Sequence, residues 1–409
     1  MPAAAPDPAL LFHDPADRPG THVLLIGIGD YPWLEDGSLY DPLEHEEGAM
    51  GMGQLAAPPM SMRRMADWFL GSFANPDREL SSLALLLSEP DPATYAHARA
   101  TNGGGPVPRG TIAEVKAAVT AWIRRASGRR DNALVFGFCG HGLQSGNPVL
   151  LCRDYGEDPE ARFQGAIDFE QFRIALSSRQ PDTQLLLVDA CRIPDLDDNQ
   201  LGQATPGNPL IDPRSLSTRD NAPAAQSVHF ATSLYTAAWG RKDGPSLFTD
   251  ALLKALNGGA AEQSAGWWVT TSRLHTVLST YLARFSAAEK VVQRPAAQSV
   301  DFAVSKPARI PVEVYVSSET EPAVWQEPLT IKARRNGFEA AFPYVPAVPP
   351  DPGFAHHVLT LVNPTQRPAD VTYDVSAEFA PGSAYENCDD QIIAYPPEVY
   401  CDLPVRKRP

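Results

Sequence analysis

Two residues that could act together in nucleophilic catalysis each stand just after a pattern typical of a buried strand. Cys191 lies shortly after the predicted strand Gln184–Val188, and His141 lies shortly after the predicted strand Ala133–Phe138. A thiolate is a strong nucleophile, and a neighbouring imidazole both stabilises it and protonates a leaving amine. Because parallel strands end at the same edge of a sheet, a separation of 50 residues (141 to 191) is no obstacle. We expect the thiol and the imidazole to meet at that edge.

Glycines flank the histidine on both sides. Gly140 and Gly142 would let the backbone approach a substrate carbonyl, and their amides, or that of Cys191, could stabilise an oxyanion. Each motif alone also has a plainer interpretation. Gly140-His141-Gly142 could be a simple turn, and a cysteine at a strand end is often a small buried hydrophobe.

The elements around these motifs predict an α/β fold with a mostly parallel sheet. Apolar runs alternate with helical stripes, which implies right-handed crossovers between parallel strands. Thr111 is expected to cap one of the helices. The predicted strands are His22–Gly29, Leu83–Leu87, Ala133–Phe138, Gln184–Val188, Val228–Ser233 and Ser299–Val304. The predicted helices are Met60–Phe73, Thr111–Ile123, Asp168–Leu176, Phe248–Leu256 and Ser272–Phe285.

The residue composition and the hydrophobic pattern change at both ends of the predicted α/β region. Residues 1–20 are rich in Pro, Ala and Asp and are predicted to be a flexible tail. After Pro307, apolar and polar residues alternate between Pro-rich turns, which is typical of a small antiparallel sandwich. The predicted organisation is therefore a tail (1–20), an α/β domain (21–306) and a β-rich accessory domain (308–409).

Composition limits the partners and the compartment. The net charge of −15 disfavours nucleic acid and anionic membranes and suits a basic peptide or protein substrate. No secretory signal or membrane-spanning run is visible, and five cysteines, an odd number, fit the reducing cytoplasm. Cys139 is interpreted as a packing residue, with redox modulation as the alternative.

The two motifs together resemble the caspase, metacaspase and paracaspase superfamily of cysteine peptidases. The caspase signature is Gln-Ala-Cys followed by Arg, Gln or Gly and then Gly, with the histidine about 50 residues upstream. The matching segments are Phe138–Gly142 and Leu186–Arg192, supported by Leu24–Gly29 and Ser246–Leu253. The resemblance covers roughly residues 21–304. It implies an endopeptidase with Cys191 as the nucleophile, His141 as the general base and acid, and no cofactor in the chemistry.

One departure from the signature bears on specificity. Asp189 stands where the caspase signature has Gln, and residues i and i−2 of a strand point the same way. In metacaspase-like members an Asp at this position belongs to the pocket for a P1 Arg or Lys. The loop from Asp30 to Glu47 adds seven acids and no Lys or Arg, so Asp30 is a second candidate for binding a basic substrate. Against this, Ser61 or Met60 stands where those relatives carry a second pocket acid. The alternative role of Asp189 is to accept backbone amides.

A second departure is Ile193 in place of the signature's final Gly. The 36 residues from Arg192 to Ser227 are poor in apolar side chains, and the resemblance implies a processing segment there. Arg214 and Arg219 are compatible with self-cleavage by an Arg-specific enzyme.

Regulation leaves two questions open. The acids Asp195, Asp197 and Asp198 could hold an activating Ca²⁺, as some metacaspases use that ion, although a solvated loop is the plainer interpretation. The rival to an enzyme is a catalytically silent caspase-fold scaffold that binds partners through its C-terminal domain. A regulatory partner of that domain is compatible with either hypothesis.

Overall fold

The computed structural model describes residues 7–191, 193–194, 207–212, 224–233, 243–264, 266–318, 324, 329–335, 338–344, 355–362 and 371–409. The chain divides into two compact units. The first comprises Met1–Leu253 and Leu278–Phe302, and the second comprises Lys254–Val277 and Ala303–Pro409. In the described part of the chain, no helix is both long enough and apolar enough to cross a membrane.

The elements follow one another along both units. In chain order the strands are β1 (Leu10–His13), β2 (Gly20–Ile28), β3 (Glu79–Ser88), β4 (Ala133–Gly140), β5 (Gly142–Ser145), β6 (Asn147–Leu151), β7 (Ala166–Asp168), β8 (Thr183–Ala190), β9 (Ile193–Pro194), β10 (Ala225–Phe230), β11 (Ala261–Ser264), β12 (Gly266–Thr270), β13 (Ala296–Gln298), β14 (Ala303–Ser305), β15 (Arg309–Ser317), β16 (Leu329–Arg335), β17 (Phe338–Tyr344), β18 (Ala355–Val362), β19 (Thr372–Phe379), β20 (Cys388–Ile393) and β21 (Glu398–Asp402). The helices are α1 (Pro42–Ala49), α2 (Ala57–Gly71), α3 (Ile112–Ala126), α4 (Phe169–Ser177), α5 (Leu247–Lys254) and α6 (Thr271–Ala288).

The first unit is built on a seven-stranded sheet in the order β1-β3-β2-β4-β8-β10-β13. The five central strands are parallel, and the two edge strands are antiparallel. Strands β2, β4 and β8 are buried along their whole length, as expected when both faces of a parallel sheet are covered. This confirms the predicted α/β fold with a mostly parallel sheet.

Helices α2 and α3 both pack on the central strands. Side chains alternate between the two faces of a strand. The α3 face carries Phe136 and Phe138 of β4 in one core cluster with Trp122. On the other face, a Cβ at Gly137 would lie 3.6 Å from Met62 Sδ of α2. Thr111 caps α3 through a capping box with Glu114, which confirms the expected cap.

Three expectations are corrected. The predicted N-terminal tail contains β1, which adds to the exposed edge of β3 and buries Leu11 completely. The predicted strand 299–304 is largely not a strand, because β13 ends just before it at Gln298 and only its last two residues belong to β14. These two short strands lie in different sheets, since β13 pairs with β10 whereas β14 pairs with β12. The boundary expected at 306–308 also differs, since residues 254–277 group with the second unit, where the β11–β12 hairpin pairs with β14.

The second unit is β-rich, as predicted for the C-terminal region. Its described strands form a three-stranded sheet β11-β12-β14, a three-stranded sheet β18-β15-β21 and a four-stranded sheet β17-β16-β19-β20. The expected antiparallel pairing holds except for β15 and β21, which are parallel.

Candidate active site

The ends of β4 and β8 bring the two motifs together. The two strands are parallel neighbours, and their register pairs Cys139 with Asp189 and Gly140 with Ala190. Both strands end at that last pair. The next residues along the two chains are His141 and Cys191, so the predicted nucleophile and base leave the sheet side by side at its carboxyl edge.

His141 is held at its ring and at its backbone. Its Nε2 donates to the carbonyl oxygen of Gly53 at 2.7 Å, and its backbone N–H donates to the hydroxyl of Tyr31 at 2.8 Å. Burial lowers the pKa of His141 to about 4, with the Gly53 hydrogen bond opposing the shift. The ring is therefore neutral at pH 7. Since a carbonyl only accepts, the proton sits on Nε2, and Nδ1 is left with the lone pair that a general base needs.

The three cysteines of the first unit differ in exposure. Cys191 is partly exposed, whereas Cys139 and Cys152 are buried, and none of these three thiols is in a disulfide. Burial raises the pKa of both Cys139 and Cys152 well above the ordinary thiol value, and for Cys139 the charge of Asp189 adds to the effect. Cys139 also hydrogen bonds to Asp189, so it is a thiol donor in the packing beneath the site. The packing interpretation of Cys139 fits this environment.

Gly140 and Gly142, which flank His141, each leave space that a side chain would fill, but for different neighbouring atoms. A Cβ on Gly140 would lie 2.7 Å from Tyr31 Oη, so this glycine makes room for that hydroxyl. A Cβ on Gly142 would lie 2.7 Å from the carbonyl oxygen of Cys191 and 2.9 Å from Ala190 Cβ. Gly142 thus permits close approach of the histidine segment to the nucleophile's own backbone.

The amide of Gly142 has a definite direction. Leu151 N–H donates to His141 O at 3.0 Å, which makes these two residues a hydrogen-bonded pair of the β5–β6 ladder. Gly142 and Leu150 are then the adjacent, non-hydrogen-bonded pair. The N–H of Gly142 therefore points away from β6, to the side on which β9 pairs with β5. The segment on that side begins at Cys191.

Asp189 lies on the α2 face of the sheet, fully enclosed. Its Oδ2 accepts hydrogen bonds from the hydroxyls of Ser246 and Thr249, the latter at 2.9 Å. Burial raises the pKa of Asp189, and the hydroxyl and thiol donors oppose the shift. These donors are side-chain groups, whereas the alternative expectation is loop backbone amides. Among the described residues, its hydrogen-bond partners are all neutral.

Ser246 joins Asp189 to two helices. Its hydroxyl accepts the N–H of Thr249 at 3.0 Å, and its own N–H donates to the hydroxyl of Ser61 on α2 at 3.0 Å. Sequence reasoning named Ser61 only as a missing acid and did not identify Ser246 and Thr249 as partners of Asp189. A partial signal was present, because Ser246 stands directly before α5 and serine is favoured at a helix N-cap, which predicts its contact with the N–H of Thr249 but not with Asp189.

Asp30 does not fit its predicted role in binding substrate. Its carboxylate oxygen Oδ2 accepts from Arg153 at 2.9 Å and from Arg109 at 3.1 Å, and its side chain is 8% exposed. Two guanidinium groups therefore compensate this acid within the protein. Asp30 stabilises the carboxyl end of β2 rather than offering a free charge.

Several predicted features concern loops and metal binding. Arg214 and Arg219, and the acids Asp195, Asp197 and Asp198, lie outside the described residues. Within the described ranges, no cluster of three or more His, Cys, Asp or Glu residues could hold a metal ion. A cavity of 980 Å³ in the first unit is lined by residues of α1 and the segment 156–164, and His141, Cys191 and Asp189 do not line it.

Comparison with known proteins agrees with the geometry. The family model described as Caspase domain matches residues 107–304, a range that includes both motifs. The chain is also similar to an uncharacterized protein of Sinorhizobium fredii, y4kE, with 30% identity over 253 residues, which is 54% of this chain and 67% of that protein. A caspase domain implies cysteine peptidase chemistry on a protein substrate. Through this domain, the chain belongs to the caspase family.

Proposed function

We propose that the protein is a cysteine endopeptidase in which Cys191 is the nucleophile and His141 the general base. The observation that carries the proposal is the register of β4 and β8, which sets these two residues one step beyond the same strand pair. Nδ1 of the neutral His141 ring takes the thiol proton, and the thiolate attacks the carbonyl carbon of the scissile bond. His141 then protonates the leaving amine, and water hydrolyses the acyl-thioester.

The oxyanion of the tetrahedral intermediate needs fixed donors. The N–H of Gly142 points to the side where the segment after Cys191 runs, so it and the N–H of Cys191 are the donors we assign. Gly140 belongs to β4 and faces the Tyr31 hydroxyl, which makes it less suited to this role. The loss of one such donor typically raises the barrier by about 2.7–4 kcal/mol.

The P1 residue is proposed to be Arg or Lys, with Asp189 as its partner. The buried Asp189 carboxylate has no cationic partner among the described residues, and burying an unpaired charge is costly. A guanidinium or ammonium group from the substrate would supply that charge and gain a charge-assisted hydrogen bond. Asp30, which two arginines already compensate, offers no such opportunity.

Self-processing and regulation extend the proposal. With a basic P1 preference, Arg214 and Arg219 are candidate cleavage sites within the same chain. The β-rich second unit is a candidate binding surface for a regulatory partner, and the cytoplasm is the compartment that suits a free catalytic thiol. Neither a metal nor another cofactor enters the proposed steps.

The test combines active-site labelling with substrate profiling. Iodoacetamide labelling followed by mass spectrometry should modify Cys191 fastest, and His141→Ala should slow that reaction. A mixed peptide library should be cleaved after Arg or Lys by the wild type but not by Cys191→Ala. The matched control is Cys388→Ala, which removes another partly exposed cysteine and should retain full activity. A wild-type protein that neither cleaves the library nor shows His141-dependent labelling would favour the scaffold.

Self-cleavage has its own readout. Wild type incubated under active conditions should yield two fragments on a denaturing gel, with the new N-terminus directly after Arg214 or Arg219. Arg214→Gln combined with Arg219→Gln should remain intact, as should Cys191→Ala. An intact wild-type chain that nevertheless cleaves peptides would remove self-processing from the proposal.

A further inference from the structure

We infer that Tyr31 and Gln54 act as a pair of positioning residues that fix the catalytic His141 at both its backbone and its ring. The inference rests on the proposed function of His141. Tyr31 follows β2 directly after Asp30 and is completely buried. Neither residue belongs to the two motifs that contain His141 and Cys191.

The Tyr31 hydroxyl replaces one direct backbone hydrogen bond between two antiparallel strands. Where His141 faces Leu151, an antiparallel pair would ordinarily exchange two direct backbone hydrogen bonds. One of them is present, from Leu151 N–H to His141 O at 3.0 Å. In place of the other, the Tyr31 hydroxyl accepts from His141 N–H at 2.8 Å and donates to Leu151 O at 3.3 Å. The hydroxyl thereby holds His141 away from Leu151 at a set distance.

The surroundings of the Tyr31 hydroxyl leave space for it between His141 and Leu151 and keep it protonated. Gly140 leaves the space, because a Cβ there would lie 2.7 Å from Tyr31 Oη. Burial raises the pKa of Tyr31 well above its usual value, so the hydroxyl keeps the proton that it donates to Leu151. The Tyr31 ring also packs against the imidazole, with 4.8 Å between ring centroids.

Gln54 connects this contact to the one at the imidazole ring. Its side chain accepts from the N–H of Tyr31 at 2.8 Å and donates to the carbonyl of Tyr31 at 2.9 Å. It also donates to Glu35 O at 3.0 Å. The preceding residue, Gly53, supplies the carbonyl that binds His141 Nε2 at 2.7 Å. The backbone and the ring of His141 are therefore held by neighbouring parts of one hydrogen-bonded loop.

The main test is Tyr31→Phe, which keeps the ring and removes the hydroxyl. Without the inserted hydroxyl, the ladder can close directly between His141 N–H and Leu151 O, which shifts the imidazole away from Gly53 O. A displacement of about 1 Å at a catalytic group costs on the order of 10²-fold in rate. We expect kcat to fall by about that factor while KM changes less than about threefold. Gln54→Ala, which retains the hydroxyl, should lower kcat in the same direction by a smaller factor.

A second readout needs no turnover. In a Cys191→Ala background with ¹³C-labelled histidine, the His141 resonance, assigned by its loss in His141→Asn, reports the imidazole titration. Tyr31→Phe should raise the His141 pKa from about 4 toward the ordinary 6.5, because the ring loses its buried position against Gly53. This measurement remains informative even if the wild type cleaves no peptide, so failure of this inference and failure of the proposed function are distinguishable.

The matched control is Tyr155→Phe. Tyr155 is also completely buried, and its hydroxyl donates to a backbone carbonyl, that of Gly48, at 3.2 Å. Its loss should lower the melting temperature much as Tyr31→Phe does, without changing kcat or the His141 titration. The inference is overturned if Tyr31→Phe retains wild-type kcat and titration, or if Tyr155→Phe alters them equally. If Tyr31→Phe does not fold, Gln54→Ala decides by the same two readouts.

Discussion

Thr249 donates its hydroxyl to the carboxylate of Asp189 at 2.9 Å, across 60 residues of sequence. Ser246 donates to the same carboxylate. The start of α5 is thereby hydrogen bonded to Asp189, which lies two residues before the proposed nucleophile Cys191. The geometry makes α5 part of the proposed specificity pocket, although its residues lie in neither motif. Within the part of the chain that the structure describes, hydroxyl and thiol groups rather than cations bind this acid.

The first prediction concerns Asp189→Asn, which keeps the shape of the side chain and removes its charge. Truncating one partner of a buried charge pair costs about 2–5 kcal/mol. We expect kcat/KM for a P1-Arg peptide to fall by the corresponding factor, about 30- to 5,000-fold. The preference for P1-Arg over P1-Leu should be lost. Steady-state kinetics on the two matched peptides check this. Equal or better turnover of P1-Asp or P1-Leu peptides by the wild type would contradict the proposed pocket.

Asp30→Asn is the second prediction and also the control for the first. This change leaves Arg109 and Arg153 without their shared carboxylate, and breaking a buried ion pair costs about 3–5 kcal/mol. Because Arg109 is about one-third exposed, we expect the lower part of that range. Urea denaturation should show the loss, while the ratio of kcat/KM for P1-Arg over P1-Leu peptides stays unchanged. A change in that ratio would indicate that Asp30 does contribute to binding the P1 residue.

The pairing of the two motifs could be predicted from local pattern. Two apolar runs, each ended by a reactive residue, imply parallel strands with both residues at one edge, and β4 and β8 follow that rule in register. The role of Asp30 could not be predicted, because Arg109 and Arg153 lie 79 and 123 residues away. The same holds for Gly53, which contributes a carbonyl that any residue type would provide. Backbone contacts of this kind leave no residue-type signal in a single sequence.

Gly142→Ala is the third prediction. A methyl group there would meet backbone and Cβ atoms of Cys191 and Ala190 at 2.7 and 2.9 Å, and neither can yield as a flexible side-chain end would. The histidine segment must therefore move away from the nucleophile, displacing the amide that we assign to the oxyanion. We expect kcat to fall at least about 10²-fold, with a smaller change in KM. Gly71→Ala, at a glycine with nothing within 4 Å of the added Cβ, should leave both constants unchanged.

The last prediction is the dependence of stability on pH. Burial lowers the pKa of both His22 and His141 to about 4, so between pH 6.5 and 4 these two groups bind more protons in the unfolded chain than in the folded one. Their contribution to stability is therefore complete above pH 6.5 and falls as the pH drops toward 4. For the deeply buried His22 the full loss is about 3 kcal/mol, at 1.36 kcal/mol per pKa unit. Urea denaturation of Cys191→Ala at pH 7, 6 and 5 should show this decline. His22→Asn, which retains a polar partner for Ser82 but does not titrate, should make the decline shallower and leave the part due to His141. An equally steep decline in His22→Asn would mean that other groups cause the acid sensitivity.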